Sequence, residues 1–233
     1  MESVAVVRAS PEVQILLGAP IESGEVLSGV TEIIPNPPFA HAVLSYSVSG
    51  PLGDATVRAV ADRTGSTWLF SALVVEVASG GRRIELARRR RVTGESWSFS
   101  VPAHWSEMDA ASGVTAGFTA AGPETQAPAV VTLVTRRPIS SDLGVLRTLI
   151  VDEAHSGGRH VNGDRSEYVG SFSGYQIESE TAVQGRQGRL FMDRGTLYGG
   201  QHLNLSCSVP LMYPDDERIV CDSILSSFRV GEN

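Results

Sequence analysis

The stretch His41-Ala42-Val43-Leu44-Ser45-Tyr46-Ser47-Val48-Ser49-Gly50-Pro51-Leu52-Gly53-Asp54 sets the architecture that the rest of the chain must follow. Ala42, Leu44, Tyr46 and Val48 alternate with His41, Ser45, Ser47 and Ser49, the period of a strand with one buried face. Gly50 to Asp54 supply turn chemistry, and Ala55 to Asp62 resume as a second strand, so the unit is a hairpin. Trp68 to Val77 is apolar on both alternating sets, as in a strand covered on two sides, and Gly80-Gly81 turns it into Ile84 and Leu86. Upstream, Ser10-Pro11-Glu12 followed by Val13 to Gly18 reads as a short helix with a serine cap, proline in the first turn and glycine at the end. Residues up to about 90 therefore predict one helix and four or five sequential strands.

The arginine run Arg88-Arg89-Arg90-Arg91 is the sharpest change of composition and is taken as the boundary, with Arg88 to Arg91 read as a strand end and solvated spacer. Beyond it the two-residue period restarts with Trp97, Phe99 and Val101, and strands are predicted at about 114–121 and 129–136. Ser141-Asp142 caps a helix carrying Leu143, Leu146, Leu149 and Ile150 on one face and ending near Gly157-Gly158. Strands follow at about 165–172, 175–183, 187–194 and 201–209, with turns at Gly185-Arg186-Gln187-Gly188 and Gly199-Gly200. Pro214 and the acids Asp215, Asp216 and Glu217 open a last helix, striped by Val220, Ile224, Leu225 and Phe228. That stripe is expected to meet Leu203, Leu205, Cys207 and Val209 of the preceding strand. The fold class is α+β: two tandem modules, residues 1–92 and 93–233, each an antiparallel sheet flanked by one or two helices around its own core.

The 233 residues are 42% hydrophobic and 19% charged, a composition that can bury a core. A net charge of −7 argues against nucleic acid, whose phosphates are bound by basic surfaces. All 19 cations are arginine, which fits a GC-rich bacterial genome and removes lysine chemistry. No apolar run reaches the roughly 18 residues of a membrane span. The chain is expected to be cytoplasmic if Met1 is native, and extracytoplasmic and membrane-tethered if an anchor once preceded it.

Two resemblances attach to these residues. Leu17-Gly18-Ala19-Pro20-Ile21, the strand from Ala40 to Val48, Gly50-Pro51-Leu52-Gly53 and the segment Arg63 to Leu73 with Thr67-Trp68 resemble the cytochrome oxidase complex assembly protein family over about residues 8–87. That resemblance implies a small helix-plus-sheet module, membrane-tethered, with assembly as its role. Phe99-Ser100-Val101-Pro102 with Trp105, the Asp142-Leu143 helix, the strand Leu203 to Val209 and Ile224-Leu225-Ser226-Ser227-Phe228 resemble PsbP and DcrB-like modules over about residues 96–230. This second resemblance implies a sheet flanked by helices that serves as a binding or chaperone-like accessory domain. Neither implies a catalytic set.

No residue pattern names an active site. Gly170-Ser171-Phe172-Ser173-Gly174 fails as a nucleophile elbow, because Phe172 stands where the serine belongs. His155 and His160, near Asp152 and Asp164, are the weak metal candidates, with a solvated loop as the competing reading. His41, His104 and His202 are isolated, and read as structural. Arg88 to Arg91 and Trp105, the tryptophan expected to be partly exposed, are candidates for contact with a partner. Cys207 and Cys221 lie on faces predicted to meet and form a candidate disulfide, against the alternative of two buried thiols. The expected function is a non-catalytic accessory protein without cofactor, gripping protein partners of a membrane-associated complex by edge strands or concave faces. The alternatives are a carrier or sensor of a small apolar ligand or lipid, held between sheet and helix of the second module, and more remotely a hydrolase whose residues meet only in the fold.

Overall fold

The computed structural model describes residues 2–35, 38–109, 111, 113–120, 128–181, 188–210 and 214–231. The turn read at Gly185-Arg186-Gln187 lies outside them, as do the side chains of Asp215 and Asp216. Two short helices open the chain, α1 (Glu2–Ala9) and α2 (Pro11–Leu17). Ser10 caps α2, its Oγ accepting from the Val13 amide at 3.4 Å, and Gly18 ends it at φ 78. The first helix was not anticipated; it buries Val4 and Val7, one turn apart.

Five strands follow as a meander in chain order: β1 (Glu22–Pro35), β2 (Pro38–Gly50), β3 (Gly53–Thr64), β4 (Thr67–Val77) and β5 (Arg83–Glu85). The hairpin joins Gly50 to Gly53, and α2 comes down on its turn, where the Leu52 amide donates to the Leu17 carbonyl at 2.8 Å. A Cβ at Gly50 would lie 2.2 Å from that carbonyl oxygen. The two glycine-bearing motifs, Leu17-Gly18 and Gly50-Pro51-Leu52-Gly53, are thus the two halves of one contact. Gly50→Ala is expected to lower the unfolding free energy by about 1–3 kcal/mol, the range for overpacking. Urea denaturation measures it, and an unchanged midpoint would show that helix and turn can separate freely.

The remainder comprises β6 (Arg89–Thr93), β7 (Trp97–Pro102), β8 (Ser106–Glu107), β9 (Ala116–Thr119), β10 (Val130–Arg136), α3 (Leu143–Ser156), β11 (Arg159–Val169), β12 (Phe172–Thr181), β13 (Arg189–Tyr198), β14 (Gln201–Pro210), α4 (Pro214–Ser226) and β15 (Arg229–Val230). A seven-stranded sheet has the order β11-β12-β13-β14-β10-β9-β8, and a small one the order β15-β7-β6. All pairings are antiparallel, and the helices flank the sheets, so the fold is α+β. Asp142 caps α3 as read, its Oδ1 accepting from the Gly144 amide at 2.7 Å. Strand β11 starts at Arg159, earlier than the expected 165, directly after the helix.

The central strands of the first sheet, β2 to β4, bury side chains on both faces. One face holds Tyr46, Val57, Leu73 and Val75 under Val7, Val13 and Leu17 of the opening helices. The other presents Val43, Val60, Ala72 and Val74 to the second half, where they join Leu203, Leu205, Val209, Ile224, Leu225 and Phe228 in one cluster. Helix α4 makes the junction, touching β13 and β14 on one side and β2, β3 and β4 on the other. Two separate cores were expected; the apolar character of both sets in β4 instead serves one core private to the first half and one shared by both. The arginine run is also not a spacer, since Arg89 to Arg91 sit in β6, in register with Ser100 to Pro102 of β7.

Candidate functional site

The strand β1 is the most unusual surface of the molecule. It is 14 residues long and lies at the sheet edge, with β2 as its one paired neighbour among the described strands. Val26, Leu27 and Ile33 are 52%, 57% and 65% exposed, and Val30 joins them at the surface. The charged residues of its sequence are Glu22, Glu25 and Glu32, all acidic. A row of unpaired amides and carbonyls flanked by exposed apolar side chains is a template for another strand. The other sheet edges are blunted: β5 has three residues, β8 and β15 two each, β6 carries arginines, and β11 carries Arg159, His160, Asp164, Arg165 and Glu167 with a register shift at Val161–Gly163. Sequence reading missed β1 because no face of it is buried, which removes the alternation; the β-branched series Val30, Thr31, Ile33, Ile34 was the available signal.

Beside β1 opens an apolar cleft of about 370 Å³, lined by Glu2, Ser3, Thr31, Ala42, Leu44, Ala59, Ala61, Trp68 and Phe70. Its origin is a mismatch of lengths. Strands of 13, 12 and 11 residues run roughly 36–43 Å, whereas helices of 8 and 7 residues cover about 12 and 10 Å. The uncovered end carries alanines at the three positions of the floor, where larger residues would fill the space. This apolar space lies on the first sheet, a different place from the gap between sheet and helix of the second half where a ligand is expected from sequence.

On the opposite face of the same sheet, three segments distant in sequence build a buried polar junction. The His41 Nδ1 meets Asp62 Oδ1 at 2.8 Å, and its Nε2 meets Glu217 Oε1 of α4 at 3.1 Å. Burial opposes the imidazolium, but the hydrogen bonds and charges of the two carboxylates outweigh it and push the His41 pKa up to about 10, so the charged ring donates to both. Burial pushes the Glu217 carboxyl up, against the pull of His41. Ser71 Oγ donates to Asp62 Oδ2 at 3.4 Å and lies 3.3 Å from His104 Nε2. Burial lowers the His104 pKa. Serine, histidine and aspartate together suggest a triad, but the geometry differs: Asp62 Oδ2 approaches the same Nε2 that faces the serine, at 4.0 Å, and among the described residues no carboxylate orients Nδ1. Ser71 is buried and also accepts from Trp105 Nε1 at 3.1 Å, so its hydroxyl points into structure. The junction is an ionic clamp between halves.

A second buried network lies under α3. Tyr175 OH donates to Asn204 Oδ1 at 3.1 Å and accepts from His202 Nε2 at 2.7 Å, while Arg136 Nε donates to His202 Nδ1 at 3.3 Å. Burial lowers the His202 pKa to about 4, which keeps the ring neutral as this bonding requires. Asn204 continues to the buried Asp193 at 3.1 Å. These bonds satisfy polar groups on a covered sheet face.

The residues singled out by sequence fall elsewhere. Trp105 is 2% exposed and belongs to the shared core, because its indole nitrogen has found Ser71; it offers nothing to a partner. Of the arginines, Arg89 pairs with Glu85 at 3.0 Å, Arg90 donates to the Trp105 carbonyl and covers Phe118, and Arg91 donates to Ser98 Oγ. Arg88 is exposed. His155 ends α3 and His160 lies in β11, both exposed, while Asp164 pairs with Arg147 at 2.6 Å; among the described residues no metal-holding group of histidines, cysteines and acids occurs. Cys207 of β14 and Cys221 of α4 are joined by a disulfide.

Among solved structures the chain is similar to cyanobacterial PsbP (CyanoP) from Synechocystis sp. PCC 6803, at 19% identity over 66% of this chain and 97% of that one, TM-score 0.48. It is also similar to LpqN of Mycobacterium tuberculosis, involved in cell envelope biogenesis, at 14% identity over 62% and 91%, TM-score 0.48. The Ran-binding protein Mog1p of Saccharomyces cerevisiae is similar at 9% identity over 63% and 97%, TM-score 0.46. A search of curated proteins gives no match. Residues 1–88, which hold β1, the cleft and three of the clamp's residues, match the family described as cytochrome oxidase complex assembly protein 1.

Proposed function

We propose that the protein is a non-catalytic accessory factor in the assembly of a membrane-associated protein complex, and that it holds its partner by accepting an extended segment along β1. The observation that carries this reading is the exposed apolar edge of β1, left open where the other edges are short, charged or irregular. An added strand gains main-chain hydrogen bonds along the edge, and side-chain contacts select its sequence. Strand β1 carries the exposed Glu22 and Glu25 and no basic residue, which favours a partner segment with arginine or lysine. The match of residues 1–88 to an assembly family supports the role, as does a polar junction whose serine and histidines face inward.

The experiment is recovery of partners from the native host by the wild type and by the double variant Val26→Arg/Ile33→Arg. Both side chains are exposed, so the variant keeps its thermal midpoint while repelling a basic strand. At least a tenfold loss of the recovered protein is expected. Equal recovery by both proteins would overturn the reading.

A further inference from the structure

We propose that the cleft on the first sheet binds a single-chain amphiphile with an anionic head group, its hydrocarbon tail on the alanine floor and its head on Arg63. Arg63 stands two residues beyond Ala61 in β3, hence on the same face, and is in register with Trp68 of β4. Its guanidinium lies over the Trp68 ring, 5.1 Å from the centroid. Ala61 and Trp68 both line the cleft, so the cation sits at its rim.

Three features define the ligand. The walls are Leu44, Phe70 and Trp68 over Ala42, Ala59 and Ala61, with Ser3 and Thr31 as the neutral polar members of the lining, a mainly apolar surface that suits an unbranched alkyl chain. Arg63 has no carboxylate partner among the described residues, whereas Arg58, Arg82, Arg89, Arg147 and Arg218 each pair with one. Placed over the indole face, the guanidinium is a cation whose planar fork of N–H donors can grip carboxylate or phosphate oxygens in pairs. Glu2, the acid of the lining, belongs to α1, which covers the helix-capped part of the sheet; Arg63 lies four residues along β3 from Ala59, about 13 Å. A head group at Arg63 with its tail running toward α1 therefore keeps the two charges apart.

Dodecanoate, dodecyl phosphate and dodecanol, each below its micellar concentration, can be titrated by calorimetry and by tryptophan fluorescence. Saturable one-to-one binding of an anion is expected, and the tighter of the two anions identifies whether the head is carboxylate or phosphate. Arg63→Gln is expected to weaken the anions about tenfold and leave dodecanol unchanged. Ala61→Phe fills the cleft and should abolish binding of all three; Ala42→Leu, a smaller intrusion, gives the same readout if the first variant loses its fold by circular dichroism. Absence of saturable binding by both anions, dodecanol binding as tightly as they do, or an Arg63→Gln protein that binds them like the wild type would overturn the proposal. Strand addition at β1 is read on partner recovery, so either idea can fail without the other.

Discussion

Replacing His41 with alanine is expected to lower the unfolding free energy by roughly 3–5 kcal/mol, the cost of removing one member of a buried charge set. His41 stands between Asp62 and Glu217, and its removal leaves two buried carboxylates facing one gap. Glu217 Oε2 already has no hydrogen-bond partner among the described groups, so it cannot turn to another donor. The effect should reach beyond the site, because Glu217 sits in α4 and α4 seals the shared core. Urea denaturation by circular dichroism measures the loss; a change below about 1 kcal/mol would mean that the carboxylates are solvated in the folded protein.

The same clamp dictates a dependence on pH. Folding raises the His41 pKa from 6.5 to about 10, so the folded state holds this proton more tightly. Its contribution is complete below about 6.5 and is lost as pH climbs through about 10. Glu217, pushed up by burial, binds its proton more readily when folded than unfolded, so its own titration favours the folded state as pH falls. Stability should therefore decline between pH 7 and 10 in the wild type, by a few kcal/mol, and the decline should be absent in His41→Leu. An identical slope in both proteins would assign the pH dependence elsewhere.

The disulfide carries the second large effect. It ties Cys207 in β14 to Cys221 in α4, with Cα atoms 5.5 Å apart and 14 residues of separation. Closing a loop of that size lowers the entropy of the unfolded chain by an amount equivalent to about 3 kcal/mol. Cys207→Ala/Cys221→Ala should show a loss of that order, while thiol titration of the wild type in denaturant should give no free thiol without reductant and two with it. Two titratable thiols without reductant would show that the cysteines pack as separate apolar residues. Both sulfurs are buried in the shared core, so this loss and that of His41→Ala act on one element, and their sum in a combined variant should exceed simple addition or fall short of it.

The residues that were read correctly are those whose signal is local. Ser10 and Asp142 cap helices by hydrogen bonds to amides two or three residues on, and a hairpin needs only its own turn and the alternation on either side. The stripe of α4 and the inward face of β14 were legible because burial on one face writes a period into the sequence. The clamp was not legible, since His41, Asp62, Ser71, His104 and Glu217 are isolated positions with no shared spacing. Their meeting depends on the first sheet turning its second face toward α4. Trp105 was misplaced for a related reason: an indole at a strand end reads as a surface anchor until a hydroxyl 34 residues earlier is brought against its nitrogen.

By itself the sequence determined the helices with caps, the run of strands from β2 to β5, the α+β class and the pair of cysteines on facing surfaces, because each is a periodicity or a contact along one or two neighbouring elements. Only the tertiary structure decided that the first sheet shares a core with the second half, that two helices too short for their sheet leave an open cleft, and that β1 stays uncovered. Those are statements about which surfaces find a partner, and the free energy of burying a surface depends on the shape and reach of what lies opposite, which no residue encodes in its own neighbourhood.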